Sequence, residues 1–182
     1  MPPSAPSPDE ITKSNQQIEA LPSLPTLVGA MDMSARKSLG QNFLFDLNLT
    51  RRIARSALPL DGTTIEVGPG PGGLTRAILL EGATQLITIE KDRRAAAVLD
   101  SLVTASAGRL TFVEGDALHS ALWELGDAPR RIIANLPYNI ATTLLIKWLG
   151  HAECFASMTL MFQREVALRI TARPGDSEYG RL

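Results

Sequence analysis

The stretch that most constrains this chain runs from Thr63 to Gly73. There a short β-branched segment passes directly into a turn of alternating glycine and proline, Glu66-Val67-Gly68-Pro69-Gly70-Pro71-Gly72-Gly73. Thr63 to Val67 reads as a strand, and the segment from about Leu74 to Glu81 reads as a helix. Glycine lets the backbone turn tightly and approach a ligand closely. The helix N-terminus behind it favours negative charge. Gly68, Gly70 and Gly73 satisfy G-x-G-x-x-G, and Glu90 stands about 20 residues on, where a carboxylate takes ribose hydroxyls. A nicotinamide dinucleotide and S-adenosylmethionine both present an adenosine ribose, so this motif alone leaves the two open.

The remainder of the chain repeats the alternation. A helix is expected over Leu47–Leu58, capped by Asp46 or Asn48 and ended by Pro59 and Asp61-Gly62. Further strands are expected at Gln85–Ile89, Leu110–Val113, Arg131–Ala134 and Ser157–Phe162. Helices are expected at Asp92–Thr104, Thr142–Leu149 and Arg164–Thr171. Strands alternating with helices at this spacing imply an α/β, Rossmann-like fold, a mostly parallel sheet with helices on both faces. In such sheets ligands sit beyond the carboxyl ends of the strands. Residues 1–30 read as a disordered tail. Pro2, Pro3, Pro6 and Pro8 alternate with serines, a polar stretch follows, and Pro22 and Pro25 interrupt what comes after. The folded domain is expected over residues 31–182.

The informative residues do fall just after each strand. Glu66 belongs near the sulfonium end of an S-adenosylmethionine-like ligand. Asp116, in Glu114-Gly115-Asp116-Ala117, is placed to accept a hydrogen bond from the exocyclic amine of an adenine, or else to serve as a turn aspartate. Asn135-Leu136-Pro137-Tyr138 carries the chemistry. The amino group of adenine is a poor nucleophile because its lone pair is delocalised into the ring. A site that methylates it must hold both amine hydrogens. The Asn135 side-chain carbonyl accepts one, and the Leu136 backbone carbonyl, aimed by Pro137, accepts the other. Tyr138 offers a face on which an extruded base stacks. The methyl group arrives activated, so positioning and preorganisation supply the catalysis. His119 and His151 lack metal-ligand spacing and read as surface or structural residues, and no metal is expected.

Composition narrows the setting. The formal net charge is -1, which does not announce a nucleic-acid binder, although positive charge concentrates at Arg36, Lys37, Arg51, Arg52 and Arg55 and at Lys91, Arg93 and Arg94. Those clusters are solvated helix surface or local patches facing a polyanion. A single cysteine, Cys154, precludes a disulfide within the chain and fits a reducing compartment. No apolar run reaches the roughly 18 residues that span a bilayer. The expected location is the cytoplasm.

Taken together, these motifs resemble the KsgA-type ribosomal RNA small-subunit adenine-N6,N6-dimethyltransferases over Ala35 to Leu182. Lys37-Ser38-Leu39-Gly40-Gln41-Asn42-Phe43-Leu44 is similar to that family's opening motif, and Phe162-Gln163-Arg164-Glu165-Val166 and Tyr179-Gly180-Arg181-Leu182 to later ones. The resemblance implies a class I S-adenosylmethionine-dependent fold. It implies cofactor contacts at Asn42, Leu44, Gly68, Gly70, Glu90, Asp116 and Asn135, with Asn135 touching cofactor and target base alike. It further implies dimethylation of two adjacent adenosines in a hairpin near the 3′ end of small-subunit ribosomal RNA, on an immature small subunit and away from any membrane. DNA adenine methyltransferases usually carry proline where Leu136 stands. Gly40 and Leu136 look more like the housekeeping branch than the large-subunit resistance enzymes. The family pattern continues with more strands, an aromatic segment for the base pocket and a small helical RNA-binding domain, so the chain is expected to be truncated and weakly active. Two rivals stay in view. An NAD-dependent oxidoreductase leaves Asn135–Tyr138 unexplained, and a non-catalytic assembly factor would tolerate loss of Asn135.

Overall fold

A computed structural model describes residues 6–30 and 43–180. Five strands form one sheet: β1 (Thr63–Val67), β2 (Gln85–Glu90), β3 (Leu110–Glu114), β4 (Arg130–Asn135) and β5 (Ser157–Met161). Their order is β3-β2-β1-β4-β5, and every neighbouring pair is parallel. Parallel strands buried on both faces need near-continuous apolar or β-branched sequence. β1 meets this need, all five of its residues being buried, with Ile65 beside Ile87 on one neighbour and Ile132 on the other. The order reverses direction at β1/β4, the position where such sheets open a crevice at their carboxyl edge.

The helices are α1 (Pro8–Glu19), α2 (Leu24–Ala30), α3 (Leu47–Ser56), α4 (Gly73–Leu80), α5 (Arg94–Ala105), α6 (Ala141–Leu149) and α7 (Arg164–Thr171). They bury two apolar clusters. One joins α1, α3, α4 and α5 through Ile18, Ala54, Ile78, Leu79, Leu99 and Leu102. The other packs α6, through Leu144 and Trp148, onto Ile65, Val67, Ile132 and Ala134. Ile132 and Ala134 face the second cluster while Ile133 faces the first, as the two-residue period of a strand requires. The α/β architecture expected from the sequence is present, with helices on both faces.

Residues 6–30 depart from expectation: they carry two helices. Pro8 occupies the first turn of α1, where a missing N–H costs nothing. Ser7 and Glu10 form a reciprocal capping box, with the Ser7 N–H donating to Glu10 Oε2 at 2.7 Å. The polar stretch that suggested disorder supplies partners for a buried cation. Arg109 Nε donates to Ser14 Oγ at 3.1 Å, and its Nη2 donates to Asn15 Oδ1 at 2.8 Å. Its Nη1 donates to the Leu79 and Ala83 carbonyls, both at 3.0 Å. Pro22 lies between the two helices, and its carbonyl accepts from Arg76 Nη2 at 3.0 Å. Of the two cap candidates for α3, Asp46 takes the role, accepting from Asn48 N at 2.8 Å and Leu49 N at 3.3 Å. Among the described residues no helix is long and apolar enough to cross a membrane.

Candidate active site

A cleft of about 400 Å³ opens at the carboxyl ends of β1 to β4, within the range of small-ligand sites. Adjacent strand ends are tied together. Gly68 N donates to the Ile89 carbonyl at 2.9 Å, and Gly115 N donates to the Glu90 carbonyl at 2.9 Å. The glycine turn forms the floor. Gly70 has φ +52°, and a Cβ there would sit 3.0 Å from the Phe43 ring. At Gly73 a Cβ would collide with the Leu44 carbonyl oxygen. The pattern thus needs glycine at these two places because the Phe43-Leu44 segment lies directly on the turn.

Glu90 ends β2 and is buried. Its Oε1 accepts from the backbone N–H of Lys91 and of Asp92, both at 2.9 Å, and its Oε2 accepts a longer bond of 3.3 Å from Gly70 N. Burial pushes its pKa up, against the pull of these backbone donors. The carboxylate is therefore held in place at the cleft wall, with one oxygen loosely occupied. Asp116 takes one of the two roles read from the sequence and stands where the other would require. It is a turn aspartate, Oδ1 accepting from Leu118 N at 3.0 Å, and it also lines the cleft, with Lys91 Nζ 2.8 Å from Oδ2. The hydrogen bond from Lys91 holds its pKa below the usual value.

Glu66 is fully buried on β1, and neither carboxylate oxygen has a hydrogen-bond partner among the described residues. Desolvation pushes its pKa up to about 8; the nearby Thr75 hydroxyl opposes this and the Glu90 charge adds to it. The sequence places Glu66 in the motif but carries no local sign of this isolation, which arises from α4 closing over β1.

Asn135 ends β4 and lines the cleft with Pro137. Pro137 Cδ lies 3.9 Å from the position a Cβ would take at Gly68, so the two motifs adjoin across the β1/β4 switch. The Leu136 side chain is buried in the second apolar cluster and anchors the turn rather than lining the cleft. Tyr138 is 43% exposed and lies at the outside of that turn. Ile140 N donates to the Pro137 carbonyl at 3.1 Å, leading the chain into α6. Of the residues anticipated as cofactor contacts, Leu44, Gly68, Gly70, Glu90, Asp116 and Asn135 share this one cleft. Asn42 lies outside the described residues. Phe43, Lys91 and Asn139 also line it and were not singled out for the site from sequence.

Arg36 and Lys37 lie outside the described residues, and several of the other clustered cations form ion pairs. Arg51 and Arg55 both engage Glu81, at 2.5 and 2.9 Å. Arg93 meets Glu114 at 2.6 Å, and Arg94 meets Asp92 at 2.5 Å. His151 stacks on Trp123 with ring centroids 3.6 Å apart, and His119 Nδ1 lies 3.6 Å from Asp116 Oδ2.

The chain was compared with known proteins. A family model described as Ribosomal RNA adenine dimethylase matches residues 32–182. The Ribosomal RNA small subunit methyltransferase A of Rhodospirillum rubrum is 56% identical over 165 residues, covering 90% of this chain and 57% of that protein. The corresponding protein of Agrobacterium fabrum is 56% identical over 172 residues, covering 91% and 62%. The chain thus spans about three-fifths of the length of these curated relatives. A dimethyladenosine transferase from Plasmodium falciparum superposes with TM-score 0.65 at 31% identity, over 76% of this chain and 49% of that one. The 23S rRNA methyltransferase ErmE superposes with TM-score 0.62 at 31% identity, over 71% and 51%.

Proposed function

We infer the function from one premise: this chain belongs to the ribosomal RNA adenine dimethylase family, and its fold is the Rossmann-like one of class I methyltransferases. The reading is an S-adenosylmethionine-dependent adenine-N6 dimethyltransferase acting in the cytoplasm on small-subunit ribosomal RNA during subunit maturation. One observation carries it. The glycine turn, Glu90, Asp116 and Asn135 converge on a single cleft at four adjacent strand ends. The large-subunit alternative has a structural parallel in ErmE, but the relatives at 56% identity are small-subunit enzymes.

The residues fit the cofactor. Glu90, prefixed by three backbone donors, has an oxygen to offer ribose hydroxyls. Asp116 has acceptor capacity for an adenine amine beside Lys91. The buried Glu66, whose carboxylate has no hydrogen-bond partner among the described residues, suits a cationic ligand group. When bound, S-adenosylmethionine supplies a methyl group activated on a sulfonium. Asn135 and the Leu136 carbonyl hold the hydrogens of the target amine and orient its nitrogen toward that methyl group. Tyr138, at the rim, stacks on the extruded base. The buried Leu136 side chain and the rigid Pro137 ring fix this turn before substrate arrives, so little reorganisation remains at the moment of transfer.

Calorimetric titration with S-adenosylmethionine, with NAD in parallel, tests the cofactor. Glu90→Ala is expected to weaken binding roughly tenfold or more, the value of a lost charged hydrogen bond. Binding of NAD alone would overturn the reading. The chemistry is tested by methyl transfer to small-subunit ribosomal RNA. Asn135→Ala is expected to lower the rate by on the order of 10²–10³-fold, as loss of a preorganised polar group does elsewhere. A variant that retains full transfer would favour a non-catalytic role.

A further inference from the structure

Lys147 lies on α6, away from the cleft lining, yet its ammonium is committed to the loop that follows β3. Nζ donates to the Leu118 carbonyl at 2.8 Å, the Ser120 carbonyl at 2.8 Å and the Ala117 carbonyl at 3.3 Å. An ammonium has three N–H groups, so the set is complete. The same nitrogen stands 5.5 Å from the centroid of the Trp123 ring, whose face stacks on His151. The side chain is half-buried, so these carbonyl bonds are partly screened from water.

The loop it grips belongs to no helix or strand. It winds around Asp116, whose backbone carbonyl accepts from His119 N at 2.9 Å, Ser120 N at 3.0 Å and Ser120 Oγ at 2.9 Å. The donors inside the turn are thus spent on Asp116, while the carbonyls of Ala117, Leu118 and Ser120 converge on Lys147. Gly115, Asp116, Ala117 and Leu118 all line the cleft. The helix that carries Lys147 begins at Ala141, immediately after the Asn135–Tyr138 turn. α6 therefore links the two ends of the site. Its start follows the base-acceptor turn, and its last turn fixes the loop that presents Asp116.

We propose that Lys147 is a positioning residue that sets the adenine-reading geometry of Asp116 through three backbone carbonyls. The inference rests on the cofactor reading above. It predicts an effect on ligand selectivity, which a merely structural lysine would not have. The probes are S-adenosylmethionine and its analogue lacking the purine 6-amino group, titrated into wild type, Lys147→Met, Lys147→Arg and Trp148→Phe. Wild type is expected to discriminate in favour of the 6-amino ligand. Lys147→Met is expected to bind S-adenosylmethionine about tenfold more weakly and to lose most of that discrimination, because the carbonyl cluster loses its charged donor. Lys147→Arg retains cationic donors and is expected to recover most of both. Trp148→Phe perturbs the packing of the same helix and is expected to lower the melting temperature with selectivity intact. Should Lys147→Met fail to fold by circular dichroism, Lys147→Gln carries the same expectation. Unchanged affinity and selectivity in Lys147→Met, or equal behaviour of Met and Arg, overturns the proposal while leaving the cofactor reading standing. Failure of wild type to bind S-adenosylmethionine overturns that reading, and this inference with it.

Discussion

Helices α4 and α7 have the same length, eight residues, and each follows the carboxyl end of a parallel strand, yet they are held very differently. Every residue of α4 is buried, including Thr75 and Arg76. No residue of α7 is buried, and Leu168 and Ile170 stand 40% and 37% exposed. α4 is closed between the sheet and α3, with Ile18 of α1 in the same apolar cluster. The helix that presents its N-terminus to the cleft is thus clamped from both sides, while α7 is of marginal length and without such a clamp. A glycine turn set in packed surroundings is already ordered when a ligand arrives, so binding does not have to offset its entropy. Of these two helices, the buried one borders the cleft.

Truncation is the most direct way to break that contrast. Leu79 is fully buried on α4, and Leu79→Ala is expected to cost about 2–5 kcal/mol in urea denaturation, the range for a large cavity in a core. Leu168→Ala on α7 is expected to change stability by no more than about 0.5 kcal/mol, as an exposed substitution does. Equal costs would mean that α7 is held by packing comparable to that of α4.

The same contrast marks how far local sequence reaches. The α7 limits read from sequence, Arg164–Thr171, coincide with those observed, and β1 coincides at Thr63–Val67, because periodicity and β-branching are properties of a short window. That the glycine turn, Glu90, Asp116 and Asn135 share one cleft was legible for a related reason: in a parallel α/β sheet, residues just after the strands gather at its carboxyl edge. What escaped is non-local. Ser14 looked like part of a polar tail because its partner, Arg109, is 95 positions away. Lys147 carries no motif, and only the fold brings three carbonyls to it. Lys91 read as one of a basic surface cluster, although its partner Asp116 stands 25 positions on, at the cleft wall.

Glu66 sharpens the comparison through pH. It lies on β1 opposite Thr75 of α4, with Glu90 of β2 the nearby charge that raises its pKa, and the burial that makes α4 rigid strips this carboxyl of solvent. Its pKa rises from 4.5 to about 8. The sign follows from linkage. Below about 4.5 the group is protonated in both folded and unfolded chains and costs nothing. Between 4.5 and about 8 the unfolded chain ionises while the native chain does not, so this group withdraws stability progressively as pH rises, and above about 8 the loss levels off. Glu66→Gln abolishes the titration. The burial cost of the amide is independent of pH and only offsets the curve, so the stability advantage of the variant is expected to be smallest at pH 4 and to grow by up to a few kcal/mol by pH 8. Urea denaturation of both chains from pH 4 to 9 measures the difference directly. A difference that stays flat across that range would mean that Glu66 is ionised in the native protein against a positive charge, and that the α4 side of the cleft is wetter than its burial implies.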